Sequence, residues 1–139
     1  MNRAVFDTNV VVSGFLSPVG PPGRIVEWLR AGSIRAVLDD RIVIEYSEVL
    51  SRPLFQLPAA EVQLVLAAIR SHAFWVEAAP GQMVKDLPDP DDAPFLECAR
   101  TARVPLVTGN ARHFPKSIAG DVTVLTPARF VSSRERQVL

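Results

Sequence analysis

Acidic and amide side chains recur at four places along the chain, each near a short apolar run. The four groups are Asp7-Thr8-Asn9, then Asp39-Asp40 followed by Glu45 and Glu48, then Asp89 to Asp92, and finally Thr108-Gly109-Asn110. If the apolar runs are parallel strands, their carboxyl ends bring these groups to one edge of a sheet. Carboxylates held close repel one another, so such a cluster needs a cation, and oxygen donors favour Mg²⁺ or Mn²⁺ over zinc. The pattern therefore predicts metal-assisted hydrolysis of phosphodiesters.

The spacing of apolar residues predicts the elements that would position these groups. Five runs predict strands, at residues 3–6, 34–38, 74–77, 104–107 and 122–125. Helical spacing between them is clearest at Val62, Val65, Leu66, Ile69 and Ala73, and it recurs around Phe95 and Ile25. Strands that alternate with helices indicate a parallel sheet of about five strands in a three-layer α/β/α sandwich. Stretches rich in proline, glycine and aspartate predict loops at residues 17–23 and 85–92.

Length and composition indicate one globular domain. The chain has 139 residues, 48% of them hydrophobic, and 15 basic residues balance 15 acidic ones. Zero net charge predicts that any contact with nucleic acid uses a local patch. The single cysteine, Cys98, excludes an intrachain disulfide framework, and we expect it in the core. The sequence has neither a signal-peptide layout nor an apolar run of membrane length, so we expect a cytoplasmic protein with no membrane partner. We expect a single domain over residues 1–131, followed by a polar tail at residues 132–139.

Four motifs, in this order along the chain, resemble the PIN domain. They are Val5-Phe6-Asp7-Thr8-Asn9-Val10, Glu45-x-x-Glu48-Val49-Leu50-x-Arg52-Pro53, Asp89-Pro90-x-Asp92-x-x-Phe95-Leu96 and Leu106-Val107-Thr108-Gly109-Asn110-x-x-His113-Phe114-Pro115. The resemblance runs from residue 3 to about residue 130 and is greatest to the branch that contains toxins of toxin–antitoxin modules. PIN domains are small α/β/α nucleases, mostly ribonucleases, that use Mg²⁺ or Mn²⁺ held by three or four acidic residues.

The resemblance assigns roles to particular residues. Asp7 would be the central metal ligand, and Glu45 and Asp92 would be the second and third. The fourth family position is often aspartate and is Asn110 here, whose amide oxygen brings no negative charge. These four residues would be both metal ligands and catalytic residues, and Thr8, Asn9, Thr108 and Glu48 would support them.

The resemblance also implies partners. It predicts an RNA substrate, a cognate antitoxin protein and a homodimer, for which the apolar helices at residues 22–32 and 59–73 offer an interface. Arg52 and Arg112 flank the loops around the acidic edge and are candidates to hold phosphates.

Each candidate residue also has a structural explanation. Asp7 and Thr8 are residue types that cap a following helix. Glu45 lies on a polar stripe in which Arg41–Glu45 and Glu48–Arg52 have the spacing of ordinary i,i+4 ion pairs. In the acidic loop we expect Asp91 to cap the next helix, Asp92 to face the site and Asp89 to shape the turn. His113 is expected to anchor its loop rather than act as a general base.

Three alternative functions make different demands on the sequence. A haloacid-dehalogenase-type phosphatase needs a second aspartate two residues after the first, where this chain has Asn9. A response-regulator receiver needs a lysine at a late strand end, where this chain has Val107-Thr108-Gly109. A catalytically weak or inactive PIN-fold module that binds RNA or a protein is favoured by Asn110 and disfavoured by Asp7, Glu45 and Asp92.

Overall fold

A five-stranded parallel sheet forms the centre of the structure. The computed structural model describes residues 2–78 and 83–138. The strands are β1 (Arg3–Phe6), β2 (Arg35–Leu38), β3 (Phe74–Trp75), β4 (Leu106–Val107) and β5 (Val124–Leu125), in the order β3-β2-β1-β4-β5. All four pairings are parallel. The chain builds outward from β1 in both directions, so the crevice between β1 and β4 lies at the point where the strand order reverses.

Seven α-helices cover the sheet in the described part of the chain. They are α1 (Thr8–Leu16), α2 (Pro21–Ala31), α3 (Asp40–Leu50), α4 (Ala59–His72), α5 (Ala93–Ala102), α6 (Lys116–Ala119) and α7 (Pro127–Val138). Helix α2 packs against α4 and α7, while α5 packs against β1, β2 and β4. Right-handed crossovers that run in opposite directions across the sheet place α4 and α5 on opposite faces. This is the predicted three-layer sandwich. None of the helices in residues 2–78 and 83–138 has the length and apolar character needed to cross a membrane.

The core lies along the central strands. Ala4, Val5 and Phe6 of β1 are fully buried, as expected for a parallel strand covered on both faces. The Tyr46 hydroxyl donates to the Phe6 carbonyl, which fastens α3 to the end of β1. Cys98 is also fully buried, as predicted, and burial raises the pKa of its thiol to about 12. The thiol is therefore a packing group.

Two parts of the chain differ from the sequence-based expectation. The predicted loop at residues 17–23 is partly wrong, because α2 already begins at Pro21. Prolines fit the first turn of a helix, where backbone N–H groups have no helical partner. Residues 132–138, whose order the sequence left open, continue α7, which buries Phe130 and Val131 against the rest of the core. The edge strands β3 and β5 are shorter than predicted.

Helices α1 and α2 approach closely at Gly14. A Cβ atom at this position would overlap the Val26 Cγ2 methyl and lie 2.6 Å from the Pro22 carbonyl oxygen. Backbone cannot yield as a flexible side chain can, so only glycine fits. This contact fixes α1, which begins directly after Asp7.

We therefore expect Gly14→Ala to destabilise the protein by about 2 kcal/mol, the typical cost of overpacking a tight contact. Urea denaturation followed by circular dichroism measures the change. Ser13→Ala, on the exposed side of the same helix, serves as the control and should change stability by less than about 0.5 kcal/mol. Equal stability of the two variants would show that the helices can move apart freely.

Candidate metal centre

Asp7 lies at the carboxyl end of β1, and its side chain is 5% exposed. One carboxylate oxygen, Oδ2, accepts hydrogen bonds from the Thr108 hydroxyl at 2.7 Å and from the Asn9 amide at 3.3 Å. Although Asp7 stands at the N-cap position of α1, its side chain forms no capping hydrogen bond. The backbone N–H groups of Thr8 and Asn9 do lower the pKa of Asp7, but the side-chain hydrogen bond that lowers it most comes from Thr108.

The loop after β4 is joined to the loop after β1. The backbone N–H of Asn110 donates to the Thr108 hydroxyl oxygen at 3.0 Å, so the hydroxyl proton remains free to point at Asp7. The Gly109 N–H donates to the Asn9 side-chain oxygen at 3.1 Å. Thr108 is fully buried. These bonds across the β1–β4 crevice set the orientation of Asp7.

Glu45 reaches the same edge of the sheet from α3. The Thr8 hydroxyl donates to its Oε2, which joins α3 to the start of α1. The predicted ion pair between Arg41 and Glu45 is wrong, because Arg41 instead binds Asp39 and Glu97. Periodicity along one helix cannot reveal Glu97, which lies on α5.

Asp92 arrives at the start of α5 and contacts the loop after β4. Its Oδ2 lies 3.0 Å from Nδ1 of His113. The expectation that Asp91 caps the helix is wrong, since Asp91 is exposed and its backbone N–H is capped by the Asp89 carboxylate at 3.0 Å. Asp89 thus holds the turn that presents Asp92, in agreement with its expected role.

A second grouping of ligand-type atoms adjoins the predicted one. Asp89, Asp92 and His113 each place one such atom within 4.8 Å of the others, and they form the one triad of this kind in residues 2–78 and 83–138. Asp7 and Glu45 belong to no equally tight triad. The sequence motifs contain both Asp89 and His113, but they predict a turn for the first and loop anchoring for the second. Only the docking of α5 beside the β4 loop brings them together.

Burial raises the pKa of all three carboxylates, and the charges of neighbouring carboxylates add to this in Glu45 and Asp92. Burial raises the pKa of Asp7, although the Thr108 hydrogen bond opposes this. Burial, with a smaller contribution from Asp7, also raises the pKa of Glu45. Burial and the charges of Asp7 and Asp89 raise the pKa of Asp92 to about 6, against the opposing effect of His113. No lysine or arginine in the described residues lies within 4.0 Å of these three carboxylates, so their mutual repulsion is left for another cation to relieve.

The remaining predicted residues lie around this cluster. Asn110 is half-buried, and its backbone N–H makes the bond to Thr108. Glu48 and Arg52 line a groove of about 630 Å³ that also contains Glu45 and the start of α5. Glu48 and Arg52 form no ion pair with each other, which corrects the second predicted i,i+4 pair. Arg112 is exposed in the short helical turn Ala111–His113, directly after Asn110.

Comparison with known families gives a match over most of the chain. The sequence model of the family described as PIN domain matches residues 3–112, from β1 through the loop after β4. The match contains Asp7, Glu45, Asp92 and Asn110 and ends just before His113. No curated protein matches the sequence at a significant level.

The raised pKa of Asp92 predicts how stability depends on pH in the absence of metal. The folded chain holds this proton more tightly than the unfolded chain, so the group favours folding at low pH, and that contribution is lost as pH rises from 3.8 to about 6. Relative to Asp92→Asn, which cannot titrate there, the wild type should lose on the order of 1–2 kcal/mol across this window. Urea denaturation in EDTA at pH 4 and pH 7 measures the difference. A constant difference would contradict the electrostatic account of the cluster.

Proposed function

Because this chain belongs to the PIN domain family, which has a nuclease-type fold, we propose that it is a metal-dependent endoribonuclease. The observation that supports the proposal is that Asp7, Glu45 and Asp92 come from three separate elements and that the charge of Asp7 raises the pKa of both Glu45 and Asp92. Within the part of the chain that the structure describes, none of the three carboxylates has a lysine or arginine partner. Protein folds rarely hold charges in this way unless a ligand relieves the repulsion. RNA is the proposed substrate because the four motifs resemble PIN ribonucleases.

The donor set fits a hard divalent cation. Asp7, Glu45 and Asp92 offer carboxylate oxygens, and the Asn110 side chain can add an amide oxygen, a set that suits Mg²⁺ or Mn²⁺. When bound there, the ion would polarise a scissile phosphate and lower the pKa of a water nucleophile. The neighbouring Asp89 and His113 enlarge the donor set, and an imidazole is more compatible with Mn²⁺ than with Mg²⁺.

The chain's own residues supply orientation and charge. Thr108 and Asn9 hold one Asp7 oxygen, which leaves the other oxygen free of side-chain hydrogen bonds in the described residues. Thr8 orients Glu45 in the same way. Arg52 lines the groove beside Glu45 and is the proposed contact for a phosphate of an extended RNA strand. Arg112 is the proposed contact on the Asn110 side.

We further propose that the protein is the toxin of a type II toxin–antitoxin pair and acts in the cytoplasm. Support comes from the resemblance of its motifs to that branch of the family. A cognate antitoxin protein and a second copy of the chain are the proposed partners. Because α2 and α4 pack against each other, a homodimer would use their outer faces, where Leu64 is 73% exposed.

Replacement of the central ligand tests the enzymatic proposal. We expect Asp7→Asn to reduce cleavage of a structured RNA mixture in Mn²⁺ by about a hundredfold or more, since the metal contributes several kcal/mol to transition-state stabilisation. Asp121→Asn, which alters an exposed carboxylate outside the cluster, is the matched control and should cleave like the wild type. EDTA should abolish cleavage by both active proteins.

Asn110→Asp separates the enzyme from a binding module. Cleavage by the wild type, with a further gain in Asn110→Asp, would support a working nuclease whose fourth ligand limits metal affinity. Cleavage only by Asn110→Asp would indicate a natural protein that binds RNA or a partner on a nuclease fold. Failure of every variant to cleave or to bind Mn²⁺ would overturn the enzymatic proposal.

A further inference from the structure

A network of charged groups joins α3 to α5 next to the groove that Glu45 lines. The Arg41 guanidinium donates from Nη2 to Asp39 at 2.7 Å and from Nη1 to Glu97 at 2.8 Å. The second Glu97 oxygen, Oε2, accepts from the backbone N–H of Val84 at 3.0 Å. Asp39 also caps α3 by accepting from the Ile42 N–H at 3.0 Å. Three segments of the chain, at residues 39–42, at Val84 and on α5, thus meet at Arg41 and Glu97.

Glu97 is unusual for a charged residue, because its side chain is only 7% exposed. Both of its oxygens have partners, and no buried side-chain polar atom in the described residues lacks one. The Arg41 side chain is 46% exposed, so only the carboxylate of this pair is buried. Removal of Arg41 would leave the buried Glu97 charge without its cationic partner, which is unfavourable. An arginine with a planar fork of donors is well suited to hold two carboxylates at a fixed separation.

The positions of these residues relate the network to the metal ligands. Arg41 lies one helical turn before Glu45 on α3. Glu97 lies within α5, the helix that begins directly after Asp92. Glu45 and Asp92 are held on their other sides by Thr8 and His113. In the described residues, the Arg41–Glu97 bond is the ion pair that joins the helix bearing Glu45 to the helix that follows Asp92.

We propose that Glu97 is a positioning residue which, with Arg41, fixes the spacing between α3 and α5 and so the separation of the Glu45 and Asp92 carboxylates. This proposal rests on the proposed metal centre. Glu97 itself binds neither metal nor substrate. Its contact with Val84 also fixes the segment that leads into Asp89 and Asp92, so one buried carboxylate controls both the helix and the turn that present the third ligand.

The test is Mn²⁺ affinity, measured by isothermal titration calorimetry without RNA. We expect Glu97→Gln to weaken Mn²⁺ binding by about tenfold or more, the usual effect of losing a group that supports metal ligands. Val65→Ala, which truncates a buried side chain of α4, is the control for lowered stability. Glu135→Gln, which breaks the exposed Arg24 pair between α2 and α7, is the control for a lost ion pair. Both should keep the wild-type affinity.

A double variant makes the test independent of one substitution. If Arg41 and Glu97 act as one unit, Arg41→Met combined with Glu97→Gln should weaken Mn²⁺ binding no more than either change alone. Should Glu97→Gln fail to fold, Arg41→Lys gives the same comparison, because lysine cannot hold both carboxylates in a fixed fork.

The outcomes separate this proposal from the proposed function. Wild-type Mn²⁺ affinity in folded Glu97→Gln would overturn the positioning role and leave the metal centre intact. Absence of Mn²⁺ binding by the wild type itself would overturn the metal centre and the positioning role together. Weakened binding in Glu97→Gln, with unchanged binding in both controls, would establish the positioning role.

Discussion

The burial of the Asp7 carboxylate at the end of the central strand is the constraint on which this site depends. A buried carboxylate is unfavourable unless hydrogen bonds or opposite charge compensate it. Here two side chains donate to one oxygen of Asp7. The negative charges of Asp7 and the nearby carboxylate of Asp92 repel each other, which makes the ionised state less favourable. The fold therefore holds an anionic centre that proton uptake or a cation would stabilise. The surrounding elements are best understood as the means of holding it in place.

The elements around Asp7 are held together by side-chain hydrogen bonds. The Tyr46 hydroxyl fastens α3 to the end of β1, and Thr108 fastens the β4 loop to Asp7. Thr8 and His113 each hold one further carboxylate. The strand order explains why these points meet, because β1 and β4 are adjacent where the two halves of the sheet diverge. Precise ligand geometry requires such support from rigid elements.

The sequence predicted the parts of this arrangement that local patterns encode. Apolar runs and helical spacing were sufficient for the sandwich, and the position of Asp7 after a short strand was sufficient to suggest its role. The sequence left open whether Glu45 pairs with Arg41 or faces the site. Helical spacing cannot show that Arg41 instead binds Glu97, which lies 56 residues away in the sequence. Asp89 rather than Asp91 is the capping residue because a short helical turn, Pro90–Asp92, precedes α5 and Asp89 stands at its start. His113 could not be placed near Asp92 without the tertiary fold.

The most direct test of the central claim is anomalous diffraction from crystals soaked in Mn²⁺. The account predicts a manganese peak coordinated by the carboxylates of Asp7 and Asp92, with Glu45 within reach of the ion or its bound water. A peak held by Asp89 and His113 without Asp7 would contradict it, as would an empty cluster in crystals that bind manganese elsewhere.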